Sequence, residues 1–73
     1  MELPFNYLEV EVKNKRDKKV GIGFLYLPNT IHCLYVLMEN DGVITYTRNE
    51  VLELFRLYNP VDGFEYDLNK LFN

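Results

Sequence analysis

Seventy-three residues, a formal charge of −3, one cysteine and no tryptophan describe one small domain over residues 1–73, with about 4–11 kcal/mol of stability at typical per-residue values. A composition 48% apolar and 26% charged is that of a globular chain and excludes a disordered one. A lone cysteine cannot form an internal disulfide, which points to a reducing, cytoplasmic setting, and the absence of serine excludes serine-nucleophile chemistry. The longest apolar stretch, residues 20–27, is too short to cross a bilayer, so no membrane association is expected. Residues 2–9 do not read as a signal peptide, because Glu2 stands where a basic start belongs and Pro4 and Asn6 interrupt the run.

The charge is unevenly spread. Five of the eight basic residues, Lys13, Lys15, Arg16, Lys18 and Lys19, fall within seven positions, broken only by Asn14 and Asp17. Outside that stretch three basic residues face ten acidic ones, which leaves a body near −7 with one basic spot. The chain also lacks Gln and Ala while Asn, Leu, Tyr and Phe abound. That bias suggests an AT-rich coding sequence, as in low-GC bacteria, phages, other mobile elements and some archaeal viruses.

In chain order, Leu8, Val10 and Val12 alternate with Tyr7, Glu9, Glu11 and Lys13, the period of a half-buried strand near a sheet edge. The charged stretch 14–19 turns the chain. Residues 20–27 form a second strand, with Val20, Ile22, Phe24 and Tyr26 on one side and Gly21, Gly23, Leu25 and Leu27 on the other. Two glycines in a strand mark a bend or a close backbone approach, and Pro28-Asn29 reverses the chain. Residues 31–39, apolar almost throughout, predict a central strand covered on both faces. Glu39-Asn40-Asp41-Gly42 is a hairpin signal, returning through Val43–Thr47.

Thr47 followed three residues later by Glu50 reads as a capping box. The helix that it opens is expected to run from about Asn49 to Tyr58, where Pro60 stops it, with Val51, Leu54, Phe55 and Tyr58 as its apolar stripe. After a turn at Asp62-Gly63, Phe64, Tyr66 and Leu68 alternate with Glu65 and Asp67 as a last strand, and the tail 69–73 extends it or forms one helical turn. The class is therefore mainly β, in the order β-β-β-β-α-β. A small five-stranded antiparallel, partly closed barrel has this element order, which is similar to that of SH3-like barrels at the level of fold analogy alone. The alternative is an open antiparallel sheet with one packed helix.

No constellation in the sequence supports catalysis, a metal or a cofactor. His32 and Cys33 are the only residues of their kinds, and neighbours on a strand point to opposite faces, so they form no nucleophile–base pair. Structural zinc needs four ligands where the chain offers these two. Gly21-x-Gly23 lacks the third glycine and the following helix of a dinucleotide motif. Aligning Gly42 with the glycine of a calcium loop puts Leu37 and Arg48 in ligand positions. An enzyme is not expected.

Three surface features remain. The acidic residues Glu9, Glu11, Glu65 and Asp67 lie on the outer faces of the first and last predicted strands and form a partner-facing patch if those strands are neighbours. On the helix, Leu52 and Leu57 flank the stripe and widen the apolar arc to roughly 220°, more than one packed face hides. They are candidates for a partner or homodimer interface, unless Leu71 and Phe72 of the tail cover that flank. Lys13, Lys15, Arg16, Lys18 and Lys19 are candidates for phosphate contact. Against nucleic acid stand the acidic body and the expected inward placement of Phe24, Tyr26, Phe64 and Tyr66. The expectation is a small non-enzymatic binding, regulatory or inhibitor module whose partner is another protein, with a nucleic-acid-binding barrel as the second reading.

Overall fold

The computed structural model describes residues 7–26, 32–38, 40 and 42–72. Five strands, β1 (Tyr7–Asn14), β2 (Lys19–Tyr26), β3 (His32–Leu37), β4 (Val43–Thr47) and β5 (Phe55–Tyr58), form one antiparallel sheet in the order β4-β3-β2-β1-β5. Helix α1 (Arg48–Leu54) joins β4 to β5, and a single turn, α2 (Leu68–Leu71), ends the described chain. The mainly β class holds, and the order β-β-β-β-α-β is kept with the fifth strand formed by residues 55–58 and not by 64–68. β4 and β5 lie at opposite ends of the strand order and do not pair, so the sheet is open, as in the second of the two expected arrangements.

The alternation in β1 sets the two faces. Val10 and Val12 are fully buried, and with Leu25, Leu34, Val36, Val51, Phe55 and Leu57 they form the core on the inner face. Over it pack Tyr46, Tyr66, Leu68, Leu71 and Phe72. The two glycines of β2 belong to this inner face as points of close approach. A Cβ on Gly23 would sit 2.7 Å from Val12 Cγ2, and one on Gly21 2.6 Å from the Leu37 carbonyl oxygen. Phe24 and Tyr26, expected inside, therefore lie on the outer face, because the glycines and Leu25 occupy the side that closes on the core.

The helix starts where the capping box places it. The Glu50 amide donates to Thr47 Oγ1 at 3.3 Å, and the Glu50 carboxylate accepts from the Thr47 amide at 2.8 Å. It ends at Leu54, four residues before the expected stop, because residues 55–58 pair with β1 in the register Glu11–Tyr58 to Asn14–Phe55. Phe55 and Leu57 then point inward while Arg56 is exposed, a period of two in place of 3.6.

The last expected strand does not form. Phe64 is 75% exposed, Glu65 makes one isolated bridge to Tyr58, and Asp67 caps α2 through its carboxylate and the Asn69 amide at 3.1 Å. The hairpin between β3 and β4 closes with the Met38 amide donating to the Gly42 carbonyl at 2.9 Å. The expected reversal at Pro28-Asn29, and Glu39 and Asp41 of the hairpin signal, lie outside the described residues. Among the described residues no helix is long and apolar enough to cross a membrane.

Candidate functional site

Helix α1 and the 66–72 segment cover one face of the sheet, and the opposite face carries its side chains in register. Residues paired across an antiparallel ladder share a face, so the pairings string Val43, Leu37, Ile22, Glu11, Tyr58 and Glu65 into one row across the sheet. The adjacent row holds Thr45, Tyr35, Phe24 and Glu9, and Tyr26 and Tyr7 begin a third. Val43, Ile22 and Leu37 are 53%, 43% and 39% exposed. The three tyrosines stack at one end: the Tyr7 ring lies 5.0 Å from that of Tyr26 and 5.6 Å, edge-on, from that of Tyr35. Burial in this cluster, then a hydrogen bond with Tyr35, push the Tyr7 phenol above its ordinary pKa. The outer face thus joins an aromatic end to an exposed aliphatic row, with the exposed Glu9 beside them.

The four expected acidic residues separate into three situations. Glu9 and Glu11 project from the outer face of β1, and Glu65 reaches the same row as Glu11 with Tyr58 between them. Asp67 is engaged as the cap of α2. Glu11 is engaged by cations, with Lys13 Nζ at 3.8 Å and Lys19 Nζ at 4.0 Å. Glu9 and Glu65 make no ion pair with any described residue.

The basic stretch is likewise divided. The turn is held by the Asn14 side chain, whose Oδ1 accepts from the Arg16 amide at 2.9 Å and the Lys18 amide at 3.1 Å. Asp17 sits in the left-handed region at φ 64°. Lys13 and Lys19 are directly opposed across β1 and β2, and Arg56 lies opposite Lys13 on the other side. Like charges so placed repel, and Glu11 and Asp17 (4.0 Å from Lys13) compensate them. Lys13 Nζ also lies 4.6 Å over the Tyr58 ring. Lys15, Arg16 and Lys18 project at the tip without an acidic partner among the described residues. Lys15 borders an open depression of about 570 Å³ with Glu65 and Asp67 on its rim, so the field at the tip is mixed.

Leu57, an interface candidate expected on an exposed helix flank, is instead fully buried on β5, because the chain turns from helix to strand at Phe55. Leu52 stays on α1 and is 37% exposed, beside the depression that Lys15 borders. Leu54, expected in the buried stripe, is exposed. His32 is exposed and Cys33 buried, which keeps the two side chains in different environments. Burial pushes the Cys33 thiol up, against a smaller lowering by Arg48. Among the described residues no group of three or more His, Cys, Asp or Glu side chains could hold a metal ion.

The aromatic outer face is what the sequence reasoning missed, and the signal for it lay in the glycines. Only a strand whose core side needs no side chain at two successive inward positions places both glycines there, which sends Ile22, Phe24 and Tyr26 outward. Comparison with protein-family models, with curated proteins and with solved structures finds no match to this chain, so its functional reading rests on these residues alone.

Proposed function

We propose that this chain is a small, non-enzymatic protein-binding module that docks its partner on the outer face of the sheet, which no described segment covers. The observation that carries this reading is the one-sided construction of the fold. Ile22, Leu37 and Val43 form an exposed aliphatic row beside the Tyr7–Tyr26–Tyr35 cluster, while both described helices lie on the other side. Contiguous exposed apolar surface favours burial against a partner, and aromatic anchors dominate such interfaces. Glu9 and Glu65, both without a cationic partner among the described residues, favour a partner that brings lysine or arginine to the edge of that contact. A regulator or inhibitor carried by a phage, virus or other mobile element fits the size and composition.

Nucleic-acid binding through the 13–19 loop is the second reading, favoured by Lys15, Arg16 and Lys18 at the tip. It is weakened by the internal compensation of Lys13 and Lys19 and by the glutamates on the aromatic face, which repel phosphate. The two readings separate in an affinity capture from cells that express the chain. The wild type is compared with Ile22→Asp/Leu37→Asp and with Lys15→Glu/Lys18→Glu. A protein retained by the wild type and the loop variant, and lost by the face variant, is the expected result. Nucleic acid retained by the wild type and lost only by the loop variant overturns it.

A further inference from the structure

The two edges of the sheet are finished differently. Along β5 the 64–66 segment takes up the outward backbone groups: the Tyr66 amide donates to the Leu57 carbonyl and the Asn59 amide to the Phe64 carbonyl, both at 2.8 Å. Along β4 no described segment does this, since β3 is its one neighbour in the sheet. The bond from the Met38 amide to the Gly42 carbonyl sets the phase of the ladder. With the register Val36–Ile44 and Leu34–Tyr46, residues 42, 44 and 46 turn their backbone groups toward β3. Val43 and Thr45 turn theirs outward. Thr47 shares that phase, and its amide is already taken by the Glu50 carboxylate.

An open edge asks for an extended strand. The usual protections are charge, proline or a bulge on the exposed strand, and Val43-Ile44-Thr45-Tyr46-Thr47 has no charge and no proline, while the one register shift of its ladder puts the extra residue, Cys33, on β3. We infer that β4 pairs antiparallel with β4 of a second copy of this chain, about a two-fold axis through Ile44. In that register Val43 exchanges both backbone bonds with Thr45 of the second copy, and Thr45 with its Val43. All four outward groups are satisfied, and the groups engaged by Thr47 and β3 are left alone. The two Ile44 side chains, each 43% exposed in the single chain, meet at the close spacing of a non-hydrogen-bonded pair.

The register supports a second copy as the occupant, because Val43 and Thr45 are mutually complementary across the axis and the charge pattern leaves β4 as a place where two copies can meet. Two chains of net charge −3 repel wherever their acidic residues meet, and β4 is a strand with no charged residue at the contact. The edge is short, well below the area of a standard stable interface, so the association is weak and concentration-dependent. It joins two outer faces into one ten-stranded surface while leaving each face open, and therefore stands or falls separately from the docking role of that face.

The test is sedimentation of the wild type, Thr45→Pro and Ile44→Lys from about 1 µM to about 1 mM, with circular dichroism as the check on folding. Proline is tolerated on an edge strand where its missing amide faces solvent, and it deletes one donor of the proposed pairing. Ile44→Lys sets two cations against each other across the axis. The expected result is a concentration-dependent wild-type dimer, weakened at least about tenfold in both folded variants. The Val43 and Thr45 amides should also gain exchange protection as concentration rises. If Thr45→Pro fails to fold, Ile44→Lys and the amide protection decide. A wild type that stays monomeric throughout, or a dimer unaffected by the folded variants, overturns the inference.

Discussion

The Tyr58 hydroxyl donates to Asp17 Oδ1 at 2.9 Å, tying the last strand to the one described non-glycine residue with a positive φ. The bond bridges 41 positions of sequence and fixes the basic turn against β5. It also holds the phenol above its usual pKa of 10.0, first through the hydrogen bond to Asp17 and then through burial. A phenol raised on folding contributes stability that is present below the unfolded value and lost as pH rises through the folded one. Tyr58→Phe should therefore melt below the wild type at pH 7, with the gap narrowing above about pH 10. Thermal melts of both proteins from pH 7 to 11 check this, and a constant gap would contradict it.

The capping box gives the corresponding prediction at acid pH. The Thr47 amide, then the Thr47 hydroxyl, hold the Glu50 carboxyl below its usual range. The contribution is present above the unfolded value and fades as pH falls through the lowered folded one. Thr47→Ala should cost about 1 kcal/mol near neutrality by removing the cap. In Glu50→Gln the acid-dependent component should vanish while helix content is retained, since glutamine still fits a capping box. Urea unfolding at pH 7 and pH 3 measures both.

Close packing at the β2 glycines is testable by a single methyl group. Gly23→Ala places a Cβ 2.7 Å from Val12 Cγ2 and 3.0 Å from Leu34 Cδ1. Both neighbours are fully buried, so the methyl has nowhere to go. Overpacking of this kind costs about 1–3 kcal/mol, read as a lowered urea midpoint with an unchanged slope.

Four strands were legible because each carries a period that one local rule explains. β1 alternates cleanly, β3 is apolar after the exposed His32, although Leu37 on its outer face is exposed where cover on both faces was expected, and β4 matches Val43–Thr47 at both ends. The helix start was legible for the same reason, since Thr47 and Glu50 satisfy each other within one turn. Its end was not. Residues 51, 54, 55 and 58 satisfy a helical period, while 55 and 57 satisfy a strand period, and only pairing with Glu11–Asn14 decides between them. The same ambiguity misplaced Leu57. Further on, the alternation of Phe64, Tyr66 and Leu68 suggested a strand, but no neighbour is left to extend the ladder beyond the Glu65 bridge, and Asp67 caps a turn of helix in its place. Of the candidate surface residues, Lys15, Arg16, Lys18, Lys19 and Glu9 could be read as exposed. The mutual engagement of Glu11, Lys13, Lys19 and Asp17 could not, because it depends on the β1–β2 register.

The exchange of helix for strand at Phe55 separates two leucines that look alike in sequence. Leu57→Ala removes a fully buried side chain and should cost about 2–5 kcal/mol. Leu52→Ala, at a position 37% exposed, should stay within about 0.5 kcal/mol of the wild type. Equal losses at the two positions, measured by urea unfolding, would contradict the placement of β5.

The docking role of the outer face is tested most directly by site-specific photocrosslinking in cells that express the chain. A photoreactive phenylalanine analogue is introduced at Leu37 on the face and, separately, at Lys18 on the loop tip. Covalent capture of a protein other than this chain at Leu37, with none at Lys18, is the predicted result. Capture of nucleic acid, or capture confined to Lys18, would contradict it.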